Sequence, residues 1–134
     1  MSAPGSLAWG LYAKRDAVRE RFRHRYEVDP TYVERLEAAG LVFSGRHPKY
    51  PIMQILELPT EARENGRENG ASDEERRARP LHPFFVAAQF HPELTGRPLR
   101  PQPLFVGLLA AAIRRKYPDA EVPTFIGVEE GAGA

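Results

Sequence analysis

Residues 82–112 read HPFFVAAQFHPELTGRPLRPQPLFVGLLAAA, an apolar run, a His-Pro-Glu corner and a proline-punctuated loop that leads into an amphipathic stretch. From Phe84 to Phe90 the run holds three phenylalanines, Val86 and two alanines, and Pro83 and Pro92 bracket it too closely for a helix. It is expected to be a strand covered on both faces. In an open α/β sheet, reactive groups gather in the crevice beyond the carboxyl ends of the strands, and His91 and Glu93 would stand there. Residues i and i+2 of an extended segment point to one side, and Pro92 fixes its own φ, so the spacing can hold an imidazole beside a carboxylate. Such a pair makes a general base: the histidine takes a proton from a nucleophile, while the carboxylate fixes its tautomer and stabilises the imidazolium. Three residues alone read more readily as an ordinary surface turn after a core strand.

The rest of the chain sets bounds on this chemistry. At 134 residues, 42% hydrophobic and 28% charged, there is apolar material for one modest core and no second domain. No run of about 18 apolar residues occurs and the amino terminus lacks a basic-then-apolar layout, so the expectation is a cytoplasmic protein that neither crosses a membrane nor carries a secretory leader. With no cysteine, the chain has no disulfide framework, no thiolate metal site and no thiol nucleophile of its own. A net charge of +1 gives no global field that would favour nucleic acid or an anionic membrane. The local run RERFRHRY (19–26) could be read as a basic-aromatic arm for single strands. Asp16, Glu20 and Glu27 dilute its phosphate affinity, and no nucleic-acid partner is expected.

Taken in order, Leu7 to Val18 can form a short helix packing Leu7, Leu11 and Val18. Phe22, His24, Tyr26 and Val28 alternate with Arg21, Arg23, Arg25 and Glu27, a period of two that predicts a strand. Asp29 and Pro30 then open a helix with Val33, Leu36 and Ala39 on one stripe, which Gly40 stops. Leu41–Ser44 and Ile52–Leu58 read as a hairpin in which Met53, Ile55 and Glu57 share a face, with His47 a solvated turn residue. Residues 59–81 carry a tandem RENG repeat and almost no apolar bulk, and are expected to be disordered. Beyond the corner, Leu104, Phe105, Leu108, Leu109, Ala112 and Ile113 share one face of a final helix, whose end Arg114, Arg115 and Lys116 suit. The tail, 118–134, is expected to fray.

Four segments occur in one order: RHRYEV (23–28), LEAAGLVFSG (36–45), the HPE corner and PLFVGLLAAA (103–112). Together they resemble the carboxyl-terminal part of the class I glutamine amidotransferase (glutaminase) domain of the CTP synthase family, over roughly residues 6 to 113. The resemblance implies an α/β fold, the later strands and helices of a doubly wound, flavodoxin-like sheet, with residues 59–81 an insertion. It implies that glutamine hydrolysis supplies ammonia for ATP-dependent amination of UTP to CTP. In that reaction a cysteine attacks the glutamine side-chain amide, a histidine activates the thiol and a glutamate orients the histidine. His91 and Glu93 match the last two roles, and Arg25 matches an arginine lining the glutamine site, where a guanidinium can bond the substrate carboxylate bidentately. No cofactor or metal is expected in this chain, because ATP and magnesium belong to the family's synthase domain; that domain, the nucleophile-bearing part and further copies in a homo-oligomer are the implied partners, and L-glutamine is the implied ligand.

The chain departs from the family pattern at several positions. Phe22 stands for a histidine, Asp29 for an asparagine, Gln54 for a glutamate, Leu94 for an aromatic residue and Gly96 for a serine. Thr95 and Ser44 lack the setting of a nucleophile elbow, and His24, His82, His91 and Glu93 have no metal-ligand spacing. Without the cysteine the isolated chain is expected to be inactive, and a non-catalytic half-domain that binds a protein partner is the alternative reading.

Overall fold

The computed structural model describes residues 3–60 and 82–122. The repeat-bearing segment expected to be disordered therefore falls, from residue 61 to 81, outside the described residues, as does the tail from residue 123. Helix α1 spans Leu7–Leu11, and Ser6 caps it by accepting the Trp9 N–H at 2.9 Å. It is shorter than the pattern to Val18 predicts. Ala13 and Lys14 take φ of 54° and 58°, so the chain leaves the helix through a left-handed pair and turns back.

Asp29 accepts the Thr31 N–H at 2.9 Å and caps a 3-10 turn, Pro30–Tyr32, which runs into helix α2, Val33–Ala38. Both hydrogen bonds from Thr31 hold the Asp29 carboxyl below the usual carboxylate range, the backbone one most strongly. Gly40, at φ 96°, ends α2 as expected: its N–H reaches Glu37 O at 2.9 Å and the Leu41 N–H reaches Leu36 O at 3.0 Å. These are the paired bonds of a Schellman cap, and they need a residue that tolerates a positive φ.

The sheet has three strands, β1 (Val42–Arg46), β2 (Met53–Glu57) and β3 (Val86–Ala88), all antiparallel in the order β1-β2-β3. The hairpin and its alternation match the sequence, since Met53, Ile55 and Glu57 are the buried residues of β2. Gly45 faces Ile55 so closely that a Cβ there would lie 2.8 Å from the Ile55 Cβ, which accounts for a glycine inside a strand. His47 acts as a turn residue, its Nδ1 accepting the N–H groups of Lys49 and Tyr50. One core cluster joins Ala8, Tyr12, Ile55, Phe90 and Leu104, and a second joins Val33, Phe43 and Met53.

Three expectations need correction. The alternating run from Phe22 to Val28 is not a strand: Phe22 alone bridges to Phe90, and Tyr26 is 88% exposed, because among the described residues no further strand continues the ladder on its other side. β3 is shorter than the apolar run and is not covered on both faces; it lies at the sheet edge, with Ala87 exposed and Phe85 partly so. The last helix, α3 (Pro103–Lys116), buries Leu104 and Gly107 but exposes Phe105, Leu108, Leu109 and Ile113. Gly107 decides its orientation. A Cβ there would stand 2.8 Å from Leu11 and Phe84 side-chain atoms, so the smallest residue takes the contact and the bulky stripe turns outward.

Candidate active site

Phe90 is buried and anchors the end of the edge strand, so His91 emerges at the sheet margin. Pro92 starts a 3-10 turn, Pro92–Leu94, closed by the Leu94 N–H on His91 O at 3.1 Å and the Thr95 N–H on Pro92 O at 3.2 Å. The result is His91 Nδ1 at 2.6 Å from Glu93 Oε1. The pairing expected from the spacing is present, but it arises by a different route: Glu93 reaches back from a tight turn rather than along an extended strand.

An ionised carboxylate can only accept, so Nδ1 carries the proton and the neutral imidazole presents its lone pair at Nε2. Among the described residues Nε2 has no hydrogen-bond partner. The His91 side chain is 40% exposed, enough to meet a substrate or a nucleophile from outside the described residues. The hydrogen bond from His91 holds the Glu93 carboxyl below its ordinary range, its own backbone adds to this, and the charge of Arg23 contributes least. Glu93 therefore stays ionised at neutral pH.

The segment carrying Arg25 runs beside this corner. Arg21 O accepts the His91 N–H at 2.9 Å, Phe22 bridges to Phe90 with their rings edge-on at 5.9 Å, and Tyr26 O accepts from Gln89 Nε2 at 3.3 Å. The Arg25 side chain is exposed and makes no ion pair among the described residues. His91 and Glu93 are thus brought together, while Arg25 lies on the adjoining segment without touching either. Phe22, where the family has a histidine, packs its ring on Phe90 and on His24.

A network missed in the sequence lies under the corner. Glu20 Oε1 accepts from Tyr12 Oη at 2.8 Å and from Gln102 Nε2 at 3.0 Å, and Glu20 Oε2 accepts from Thr95 Oγ1 at 2.9 Å. Burial, with the Glu20 carboxylate accepting its proton, pushes the Tyr12 phenol far above its ordinary value and keeps it a donor. Gln102 is buried and caps α3 by accepting the Leu104 N–H at 2.8 Å. Its place immediately before a helix that opens on Pro103 is the one sequence signal that could have exposed the network. The Thr95 hydroxyl, engaged with Glu20, is not poised as a nucleophile. A cleft of about 900 Å³ opens above this network, bordered by Arg19, Arg21, Arg97 and Arg100. Among the described residues, no group of three or more His, Cys, Asp or Glu could hold a metal ion, and no helix is long and apolar enough to cross a membrane.

No family model matches the chain. Known proteins do. The CTP synthase of Acidothermus cellulolyticus is 43% identical over 122 residues, which are 91% of this chain and 18% of that protein. The CTP synthase of Thermococcus gammatolerans is 45% identical over 115 residues, 85% of this chain and 17% of that protein. Among solved structures, the glutaminase domain of Trypanosoma brucei CTPS with bound acivicin superposes with a TM-score of 0.63 at 30% identity, covering 91% of this chain and 39% of that one. The chain spans less than a fifth of the curated relatives' length. The likeness bears out the α/β glutaminase fold class, of which the antiparallel strands here are one part. Sequence and fold thus agree that the chain belongs to the CTP synthase family, as a segment of its glutaminase domain.

Proposed function

We propose that this chain supplies the general base, the orienting carboxylate and one substrate-binding arginine of a glutaminase whose ammonia aminates UTP to CTP. The observation that carries the reading is the 2.6 Å contact between His91 Nδ1 and Glu93, with Nε2 left open as a proton acceptor. A thiol supplied by the rest of the domain loses its proton to Nε2. The thiolate attacks the amide carbon of L-glutamine, His91 returns the proton to the departing nitrogen, and ammonia leaves as a thioester forms. Water then hydrolyses the thioester, with His91 again taking a proton. Glu93 holds the ring's orientation and offsets the imidazolium charge at both steps.

Arg25 would bond the α-carboxylate of glutamine. An exposed guanidinium with no acidic partner among the described residues is available for a bidentate contact, a geometry a lysine cannot reproduce. The likeness to a glutaminase domain that binds acivicin supports a small-molecule site in this fold. ATP, magnesium and UTP would be held by the synthase part of the family protein, and glutamine hydrolysis would need both parts. The alternative of a non-catalytic, protein-binding half-domain draws no support from the relatives.

The test is a graft. Residues 6–113 replace the corresponding segment of a complete CTP synthase, and CTP formation is measured with glutamine and with added ammonia. The expected result is CTP formation from both nitrogen sources. A folded graft that forms CTP from ammonia but not from glutamine would contradict the reading.

A further inference from the structure

Two consecutive residues, Glu20 and Arg21, grip opposite ends of the His91–Thr95 turn. At its start the His91 N–H donates to Arg21 O at 2.9 Å, and at its end Thr95 Oγ1 donates to Glu20 Oε2 at 2.9 Å. The grip is itself anchored. The other Glu20 oxygen accepts from Tyr12 Oη and Gln102 Nε2, and Gln102 Nε2 also lies 2.6 Å from Tyr12 Oη, so the carboxylate is fixed to the end of α1 and the start of α3. Tyr12 and Gln102 are both buried. We propose that Glu20, acting through the Thr95 hydroxyl, is a positioning residue that fixes the turn carrying Glu93 and so holds its carboxylate on His91 Nδ1.

The geometry separates this role from general stabilisation of the fold. The turn's own bonds are local: Leu94 N–H to His91 O at 3.1 Å, and the Thr95 N–H, the Gly96 N–H and the Thr95 hydroxyl to Pro92 O, each at 3.2 Å. They shape the turn without fixing it to the body of the protein. Among the described residues, the Thr95–Glu20 contact is, besides the His91 backbone bond, the long-range hydrogen bond that ties the corner down, and it is charge-assisted and partly buried. Glu93 itself is exposed and has His91 as its side-chain partner. Its aim therefore depends on where the turn backbone is held.

The inference builds on the glutaminase reading for its consequence, but its geometry can be tested apart from it. In the 134-residue chain the Glu93 carboxyl is titrated by carbon-detected NMR in the parent, Thr95→Val, Thr95→Ser and Tyr12→Phe. Thr95→Val removes the hydroxyl, with its bonds to Glu20 and to Pro92 O, at constant shape; Thr95→Ser keeps both; and Tyr12→Phe loosens Glu20 from its other side without touching the turn, which isolates the part played by Glu20. Thr95→Val is expected to shift the Glu93 titration upward, toward that of His91→Ala. Thr95→Ser should match the parent, and Tyr12→Phe should shift the same way by less. An unmoved Glu93 in Thr95→Val or in Tyr12→Phe, or a Thr95→Ser that behaves like Thr95→Val, would overturn the proposal. In the graft, Thr95→Val should lower glutamine-driven kcat roughly 10- to 100-fold with KM for glutamine unchanged, as misplacement of a catalytic pair does. A loss confined to KM would also overturn it. Failure of the glutaminase reading would instead appear as a His91→Ala graft that keeps glutamine-driven turnover while the titrations behave as stated.

Discussion

Glu57, fully buried in β2, accepts the Ala8 N–H through Oε2 at 3.1 Å and the Leu7 N–H through Oε1 at 2.8 Å. A carboxylate inside the core is tolerable because it satisfies the otherwise orphaned donors at the start of α1. This contact fixes α1 against the sheet, and α1 in turn delivers Tyr12 to the network beneath the His91–Thr95 turn. Replacing Glu57 by Ala strands one buried donor, the Ala8 N–H, and one partly buried, the Leu7 N–H. Loss of hydrogen bonds to a charged group costs about 1.5–3 kcal/mol each at most sites, so urea unfolding should show a destabilisation of about 3 kcal/mol or more. A Glu57→Ala chain as stable as the parent would contradict this account of α1.

The outward face of α3 gives a second expectation. Phe105, Leu108, Leu109 and Ile113 are 47, 51, 64 and 41% exposed along one helix, a contiguous apolar surface of the kind that drives association. Sedimentation velocity of the 134-residue chain should show self-association that rises with concentration. Leu108→Glu with Leu109→Lys should reduce it, because neither side chain is part of a buried cluster. A parent chain that stays monomeric at high concentration would sink the idea.

The His91–Glu93 pair has a pH signature whose sign is fixed by its cause. Glu93 is held below its ordinary value in the folded chain, chiefly by the hydrogen bond from His91. A depressed carboxylate contributes stability above its unfolded pKa and loses it as pH falls through the folded one. The pair should therefore persist through the neutral range and dissolve only below the usual carboxylate window. In NMR titration Glu93 should ionise lower than a model glutamate, and His91→Ala should move it up. A normal or raised value in the parent would show that the contact does not form in solution.

How far this was legible in the sequence differs between elements. The Asp29 cap, the Gly40 stop and the β1-β2 hairpin were readable because each rests on local chemistry: an acceptor side chain before Pro30, a residue free to take φ 96°, and strict alternation through Met53, Ile55 and Glu57. His91 and Glu93 were readable as a pair for the same reason, being two residues apart. The segment from Phe22 to Val28 failed because alternation describes a side-chain pattern, while a strand needs neighbours on the backbone. The α3 stripe failed because close approach at Gly107 outweighed apolar bulk, and a pattern of hydrophobic residues does not register a glycine contact. Glu20 went unread as part of the site because its partners Tyr12, Thr95 and Gln102 are 8, 75 and 82 positions away.

The role proposed for His91, as the base of glutamine hydrolysis, is measured most directly in the complete CTP synthase carrying residues 6–113. CTP formation is followed with glutamine and, separately, with ammonia, in the graft and in its His91→Ala variant. Removal of a positioned general base should lower the glutamine-driven rate by roughly 10²–10⁴, while the ammonia-driven rate stays near that of the unmutated graft because it bypasses the thiol. Glutamine-driven turnover left intact by His91→Ala, or an equal loss with ammonia, would contradict the assigned role.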